Sequence, residues 1–354
     1  MNSGDSKIEL KGLTLSEMQE FCISIGEPKF RGGQLFNWIY NHLALDFSEM
    51  KNLPKELINS LSSGCELSSL KLIGIQGSSA TSTQKYLFET YDGRQIESVV
   101  IPEEGRNTLC ISTQVGCPLD CKFCATGLMG YKRNLTPGEI VDQYILIAKK
   151  RGKEILTNIV YMGMGEPLLN FHATLKSIEI FTHELTKGLS RTRITVSTSG
   201  ITGKIKELAD SGLRVKLAFS LHSAFEEVRS RIMPINKKYP LKENIDALKY
   251  YAKKTGTRIT FEYTMLNGLN DRDEDVKALA KLCASLPSKL NLIPFNSIKH
   301  MNPGGISAEL EPTPYPGIQK FADKLRGNNI TVMIRETQGD DITAACGQLA
   351  IQTG

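Results

Sequence analysis

The sequence predicts an α/β protein in which a full or partial β/α barrel follows a small helical region and a β extension. Three observations carry this prediction. From about Asn107 onward, short apolar runs rich in branched residues alternate with helical stretches, the pattern of parallel strands joined by crossover helices. Residues 8–64 lack that alternation and read as mostly helical. Between the two regions, a pair of strand-like runs flanks Asp92-Gly93, a dipeptide suited to the positive φ of a hairpin turn.

In chain order, Thr14-Leu15-Ser16-Glu17 has the form of a capped helix start, because the Thr hydroxyl can accept from a free amide of the first turn. The run from Phe30 to Tyr40 places apolar residues at helical spacing. A Ser- and Thr-rich loop from Gly77 to Ser82 leads into the hairpin, Lys85 to Tyr91 and Gln95 to Ile101. Strands are then expected at 108–112, 158–162, 193–197, 215–220, 258–263, 290–294 and 330–334. Helices are expected at 137–150, 172–182, 242–254, 273–284 and 318–325. The expected domains are 1–75 (helical), 76–106 (a hairpin extension carrying Glu97) and 107–354 (the barrel, with a carboxy-terminal segment carrying Cys346). In such a barrel the chemistry sits at the carboxyl ends of the strands.

Composition narrows the class. With 354 residues, 40% hydrophobic and 23% charged, the chain is ordinary globular material, neither disordered nor fibrous. Its net charge of +5, from 43 basic and 38 acidic residues, is compatible with a nucleic-acid partner without requiring one. The opening residues Met1 to Lys7 lack the basic and apolar parts of a secretory signal. No run approaches the roughly 18 uninterrupted apolar residues of a membrane span. A cytoplasmic protein with no membrane attachment is expected.

Eight cysteines are present: Cys22, Cys65, Cys110, Cys117, Cys121, Cys124, Cys283 and Cys346. Four of them fall within fifteen residues, so clustering carries the information. Cys117-Pro118-Leu119-Asp120-Cys121-Lys122-Phe123-Cys124 has the spacing C-x3-C-x2-C. Three thiolates on one loop can ligate three irons of a cubane cluster and leave the fourth open to an outside ligand. The amino and carboxylate groups of S-adenosylmethionine can fill that position. Zinc is the competing occupant, but it usually takes four N or S ligands, and no second Cys pair or nearby His accompanies the loop. Glycines in Met162-Gly163-Met164-Gly165-Glu166-Pro167 suit close approach of backbone to a ligand, and Glu166 can accept from an ammonium group. Ser197-Thr198-Ser199-Gly200 and Ser220-Leu221-His222-Ser223 end two further expected strands, and Asn296 follows a third. Together they describe a polar, ligand-lined barrel mouth.

The cysteine loop, the stretch Met162 to Asn170, Ile232-Met233-Pro234-Ile235-Asn236-Lys237-Lys238-Tyr239 and Gly339-Asp340-Asp341-Ile342-Thr343-Ala344-Ala345-Cys346-Gly347-Gln348-Leu349 together resemble the RlmN family of bacterial RNA methyltransferases. The resemblance runs from about Phe30 to Leu349. It implies a partial (βα)6-type radical S-adenosylmethionine barrel and synthesis of 2-methyladenosine in 23S rRNA and in tRNA. It implies a 4Fe–4S cluster on Cys117, Cys121 and Cys124, two S-adenosylmethionine molecules per turnover, and an electron donor such as flavodoxin or ferredoxin. Gly165, Glu166, Ser197, Ser220, Leu221, His222 and Asn296 match positions lining the S-adenosylmethionine site. Cys346 matches a cysteine that becomes S-methylated, Cys110 its resolving partner and Glu97 a proton acceptor. The mechanism needs only one chain, so a monomer is expected. Cys22, Cys65 and Cys283 match nothing functional.

Three alternatives stand beside this reading. The Cfr-type resistance methyltransferase shares the two-cysteine mechanism and chiefly methylates C8. A radical enzyme acting on a small molecule or a protein glycine would need neither RNA nor Cys346. An iron–sulfur electron carrier would need a fourth ligand. Lys29, Arg31, Lys51 and Lys55 in the helical region, and Lys132-Arg133 after the cysteine loop, are candidate phosphate contacts.

Overall fold

In the computed structural model, which describes residues 7–152, 156–186 and 188–351, ten strands form one sheet that curves without closing. The opening residues Met1 to Ser6, which belong to the expectation of no secretory signal, lie outside the described residues. No helix among the described residues is long and apolar enough to cross a membrane.

The amino-terminal region begins with the short strand β1 (Ile8–Glu9), followed by helices α1 (Leu15–Ser24), α2 (Phe30–Tyr40) and α3 (Lys55–Gly64), and ends on β2 (Cys65–Glu66), which pairs with β1 in parallel. The expected cap of α1 forms as a reciprocal box: Thr14 Oγ1 accepts from the Glu17 amide at 3.4 Å while Glu17 Oε2 accepts from the Thr14 amide at 2.9 Å. Cys22 and Cys65 are buried in the packing of this region.

Next comes an antiparallel meander, β3 (Leu70–Gly77), β4 (Gln84–Thr90) and β5 (Gln95–Glu103). The expected hairpin is β4–β5, with Gly93 at φ +74° in its turn. The third strand, β3, was not foreseen, because Ser69 to Gly77 lacks a clean alternation and its Ile73 and Ile75 are partly exposed. The expected boundary between residues 75 and 76 therefore falls inside a strand. The meander is also no separate body, since β5 pairs antiparallel with the first barrel strand, β6 (Arg106–Cys110).

Beyond β6 the chain forms a two-stranded ladder, β7 (Gln114–Gly116) with β8 (Tyr131–Asn134), around the short helix α4 (Ala125–Leu128). The alternation then runs α5 (Pro137–Arg151), β9 (Asn158–Tyr161), α6 (Phe171–Thr182), β10 (Ile194–Thr198), α7 (Thr202–Asp210), β11 (Lys216–Ser220), α8 (Glu226–Ile232), α9 (Leu241–Thr255), β12 (Ile259–Met265), α10 (Asp273–Ala284), β13 (Ser288–Pro294), α11 (Ile306–Glu309), α12 (Tyr315–Gly327) and β14 (Val332–Ile334). The strand order is β14-β13-β12-β11-β10-β9-β6-β5-β4-β3, parallel from β14 to β6. Parallel strands covered on both faces read as continuous apolar runs, and β12 is buried at every position.

A buried ion pair joins the helical region to the barrel. Lys11 and Asp142 of α5 are both fully enclosed, and the second Asp142 oxygen accepts from the Ser69 and Leu70 amides at 2.9 and 3.0 Å. A buried ion pair is tolerated when remaining hydrogen-bonding capacity is met, as it is for Asp142.

Candidate active site

The three cysteines of the C-x3-C-x2-C loop lie at the carboxyl end of the parallel strands and line one small cavity with Gly163, Gly165, Glu166, Ser199 and Ser220. The loop is shaped by its backbone. Gly116 takes φ +72°, and a Cβ there would stand 1.8 Å from the Gly130 carbonyl oxygen. The Cys117 amide donates to that same oxygen at 3.2 Å, and the Lys122 amide donates to the Ile232 carbonyl at 2.9 Å. Burial pushes the Cys117 thiol up to about 12 and Cys121 well above its ordinary value, so both are neutral until a metal deprotonates them.

The donor set fits an iron–sulfur cubane. Three thiols on one cavity are the number and kind of donors that three irons of such a cluster take, with the fourth left open.

An adjoining cavity of about 150 Å³ is lined by Cys124, Gly165, Glu166, Ser197, Ser220 and His222, together with Glu262, Arg335 and Cys346. Five of the seven residues expected around S-adenosylmethionine therefore line one cavity. Gly165 is required by geometry: at φ +100° its Cβ would stand 2.6 Å from the Gln114 side chain. Glu166 is enclosed and raised from the usual carboxylate range by burial, opposed by the Ser199 and Leu168 amides that donate to it at 2.8 and 3.0 Å. His222 Nδ1 accepts from the Thr264 amide at 2.9 Å. Burial, with Arg229 nearby, holds its pKa down to about 3. The ring is thus neutral, with Nε2 as the protonated nitrogen.

Two of the seven stand elsewhere. Leu221 is fully buried in the core and is not among the residues lining the cavity, whereas its neighbours Ser220 and His222 are. Asn296 lines the next cavity and donates from Nδ2 to the Cys346 carbonyl at 3.0 Å.

That next cavity, about 310 Å³, brings Cys110 and Cys346 together with Cys124, Thr126 and Arg335. Cys110 ends β6 and is buried; burial pushes its thiol up to about 12, the Cys346 sulfur adds to the shift and Arg335 opposes it. Cys346 is an exposed residue whose thiol is still raised by the protein around it, again against Arg335. Its segment is pinned to the cysteine loop: the Ala125 amide donates to the Gly347 carbonyl at 2.7 Å and Thr126 Oγ1 to the Leu349 carbonyl at 2.6 Å.

Glu97 does not line the cavity of Cys346. It shares a sheet face with Val99, which pairs with Cys110, but its carboxylate faces a separate opening beside Lys85, Thr343 and Ala350. There it pairs with Lys85 Nζ at 3.0 Å and accepts from the Ala350 amide at 3.1 Å. The carboxy-terminal segment thus lines both openings, Cys346 on one and Thr343 and Ala350 on the other.

Arg133 is a correction to the phosphate-contact expectation. Its guanidinium is held bidentately by Asp92 and by Glu139, at 2.7 to 3.0 Å, which joins the β4–β5 turn to the start of α5. Lys29, Lys51 and Lys55 are exposed, whereas Arg31 donates to Gln34 at 2.8 Å. Cys283 is a buried packing thiol.

Sequence reasoning missed Arg229, Glu262 and Arg335. Arg229 is wholly enclosed and donates to the carbonyls of Ser199, Ser220 and Leu221 at 2.7 to 3.1 Å and to Asn236, tying the ends of β10 and β11 together behind Cys121. Nothing in its charged helical context marks it out. Glu262 did carry a signal, a lone carboxylate inside a seven-residue buried strand.

Comparison with known proteins agrees with this geometry. Residues 111–282 match the radical SAM superfamily, and residues 8–67 match the family described as "Ribosomal RNA large subunit methyltransferase N-terminal domain". The chain is 43% identical over 343 residues to a "Dual-specificity RNA methyltransferase RlmN" of Pelobacter propionicus, covering 97% of this chain and 96% of that protein. It is 41% identical over 359 residues to the protein of the same name from Anaeromyxobacter dehalogenans, covering 99% and 94%. A crystal structure of a radical SAM methyltransferase from Sphaerobacter thermophilus superposes with a TM-score of 0.90 at 40% identity, covering 97% of this chain and 99% of that one.

Proposed function

The chain belongs to the RlmN family of radical S-adenosylmethionine RNA methyltransferases, and from that membership we propose that it methylates C2 of adenine in 23S rRNA and in tRNA. The observation that carries the reading is the meeting of Cys110 and Cys346 in one cavity that also touches Cys124. Neither a structural cluster protein nor an enzyme of small-molecule radical chemistry needs two such thiols there.

Cys117, Cys121 and Cys124 would hold a 4Fe–4S cluster, with Glu166, Ser197, Ser220 and His222 around S-adenosylmethionine. When bound, the cluster supplies the electron that cleaves S-adenosylmethionine to a 5′-deoxyadenosyl radical. The chain's own residues do the rest. Cys346, as thiolate, takes a methyl group from a first S-adenosylmethionine, forming a carbon–sulfur bond as the sulfonium bond breaks. With a second S-adenosylmethionine in the site, that S-methyl group would give a hydrogen atom to the 5′-deoxyadenosyl radical, leaving 5′-deoxyadenosine, and its carbon would add to adenine C2. Glu97 accepts the C2 proton, and it becomes free to do so when the Ala350 amide releases its carboxylate. The adduct loses one electron, which the bound cluster would take back, along with the C2 proton; Cys110, as thiolate, then attacks the Cys346 sulfur, so that a disulfide forms as the bond to the base's new carbon breaks, that carbon takes up a proton to become the methyl group, and reductant must reopen the disulfide. A flavodoxin or ferredoxin would be the electron donor, and the setting cytoplasmic.

Anaerobic reaction of the Cys110→Ala variant with S-adenosylmethionine and rRNA tests this most directly. A covalent protein–RNA adduct through Cys346 is expected to accumulate, and its clean absence would remove the resolving role. Mass spectrometry of RNA from the unmodified enzyme should show 2-methyladenosine; 8-methyladenosine alone would move the chain to the Cfr-type reaction.

A further inference from the structure

The inner face of the barrel sheet changes character from one end to the other. Side chains alternate across a strand. Residues that share a face with the cavity-lining Cys110, Ser197, Ser220, Glu262 and Ile293 therefore recur two at a time towards the amino ends. Two such steps reach Arg106 on β6, Lys216 on β11 and Lys289 on β13, while Arg193, the last residue of the short helical turn Arg191–Arg193, and Arg258 stand immediately ahead of β10 and β12. Five cations occupy the amino-terminal opening of the barrel.

They feel one another across it. Burial, Arg106 and Arg193 hold Lys216 below the ordinary lysine range. Burial, Lys216, Arg335 and Arg258 do the same to Lys289 against Glu262. Among the described residues, only Arg106 of the five has a carboxylate within ion-pair distance, Glu103. Arg193 donates to Asn158 at 3.2 Å, and Arg258 donates to the Ser288 carbonyl and to Thr331 at 2.7 and 2.6 Å. These neutral partners aim the guanidinium groups without cancelling their charge. Like charges gathered around an opening repel one another and favour an anion between them.

The opening leads to the reacting thiols. The cavity of about 310 Å³ is lined by Glu103 and Arg106, at the amino end of β6, as well as by Cys110 and Cys346, and Arg106 is the member of the ring that lines it. Arg106 and Cys110 lie four residues apart along β6, about 13 Å at ~3.3 Å per residue.

We propose that this ring of cations binds the RNA phosphates flanking the target adenine, so that the base enters the cavity from the amino-terminal opening and meets Cys346 from below. The proposal rests on the RNA reading above and adds to it the route and the backbone contacts. An acidic electron-donor protein would also be drawn to such a ring. The cysteine loop lies at the opposite end of the strands, however, so electrons delivered here would have the length of the barrel to cross, whereas a base would follow the cavity that both Arg106 and Cys346 line.

The test uses the full chain with Lys216 and Lys289 both changed to Ala, against a charge-matched control, Lys249→Ala with Lys253→Ala on the exposed face of α9. An RNA hairpin with an unpaired adenine serves as probe, and its affinity is read by anisotropy over a range of salt concentrations. The slope of log K against log salt should become shallower by about 1.4 in the first variant, at ~0.7 per phosphate contact on a single strand, and stay unchanged in the control. Should the double variant not unfold cooperatively, Lys216→Gln alone, at an exposed position, should lower the slope by about 0.7. Equal slopes in both double variants, with the unmodified chain binding RNA, would overturn the ring as a phosphate site. Unchanged RNA binding with activity lost only under a flavodoxin-type donor, and kept under dithionite, would overturn it in favour of a protein partner. Failure of the unmodified chain to bind RNA at all would instead count against the RNA reading itself.

Discussion

Two cysteine-bearing segments face each other at the carboxyl end of the barrel, and they are held in different ways. The loop from Gly116 to Cys124 is set by backbone: the β7–β8 ladder on one side, α4 on the other, and a glycine that no other residue can replace without a clash. The carboxy-terminal segment around Cys346 has no ladder. It is a strap fastened largely by side chains from elsewhere: Asn296 at Cys346, Thr126 at Leu349, Lys85 at Thr343 and Glu97 at Ala350, the last three at 2.6, 3.1 and 3.1 Å. A ladder opens cooperatively and at high cost, whereas single hydrogen bonds each contribute about 1 kcal/mol. The difference suits the two tasks proposed for them. Cluster ligands must stay where they are, while a methyl carrier that also meets Cys110 and a base gains from a segment that can let go.

The largest break in this comparison should come from Gly116→Val. A side chain there collides with the Gly130 carbonyl and forces a strained φ, so stability should fall by about 3 kcal/mol or more. Iron loading should be lost with it. Thermal unfolding and iron content read both, and a variant that loads iron normally would show the loop to be as adaptable as the strap. A smaller effect is expected from Thr126→Val, which removes one fastening of the strap. Amide exchange across residues 344–350 should quicken roughly fivefold, with the melting temperature of the whole chain nearly unchanged. A global loss of stability instead would mean the strap is part of the core.

The smallest effect is electrostatic. Burial raises the Glu97 carboxyl against the pull of Lys85, so its ionised form is less stable in the folded chain than in the unfolded one. That destabilisation is absent below the ordinary value of 4.5 and grows as pH rises from there through the raised folded value. Glu97→Gln should therefore gain in melting temperature relative to the unmodified chain across that window. An identical pH slope in both proteins would show that burial does not hold Glu97 against its charge.

Some of the site could be read from the chain alone, and the reason is distance along it. Cys117, Cys121 and Cys124 fall within eight residues, so any fold that orders the loop brings their thiols together. The capping pairs of α1 and α5 are equally local, as Thr136 with Glu139 at 2.9 and 3.1 Å shows. Ser197, Ser220 and His222 were legible as strand ends, because the strand–helix alternation sets where those ends fall. Leu221 was not legible as a core residue rather than a lining one, since a single step in strand parity separates the two. Arg133 had the composition of a phosphate contact, and only the approach of Asp92 and Glu139 shows that its charge is already matched.

The sequence by itself determined the cysteine loop, the alternation that makes a parallel sheet, and, through its likeness to the RlmN family, the roles expected of Cys110, Glu97 and Cys346. Tertiary structure alone decided that Cys110 and Cys346 share a cavity, that the strap turns Cys346 to that cavity and Ala350 to the one of Glu97, and that five cations from three strands and the approaches to two more gather near one opening. Motifs are carried by neighbours along the chain. Those three arrangements depend instead on sheet register and on the path of the final segment, which join residues that the sequence keeps far apart.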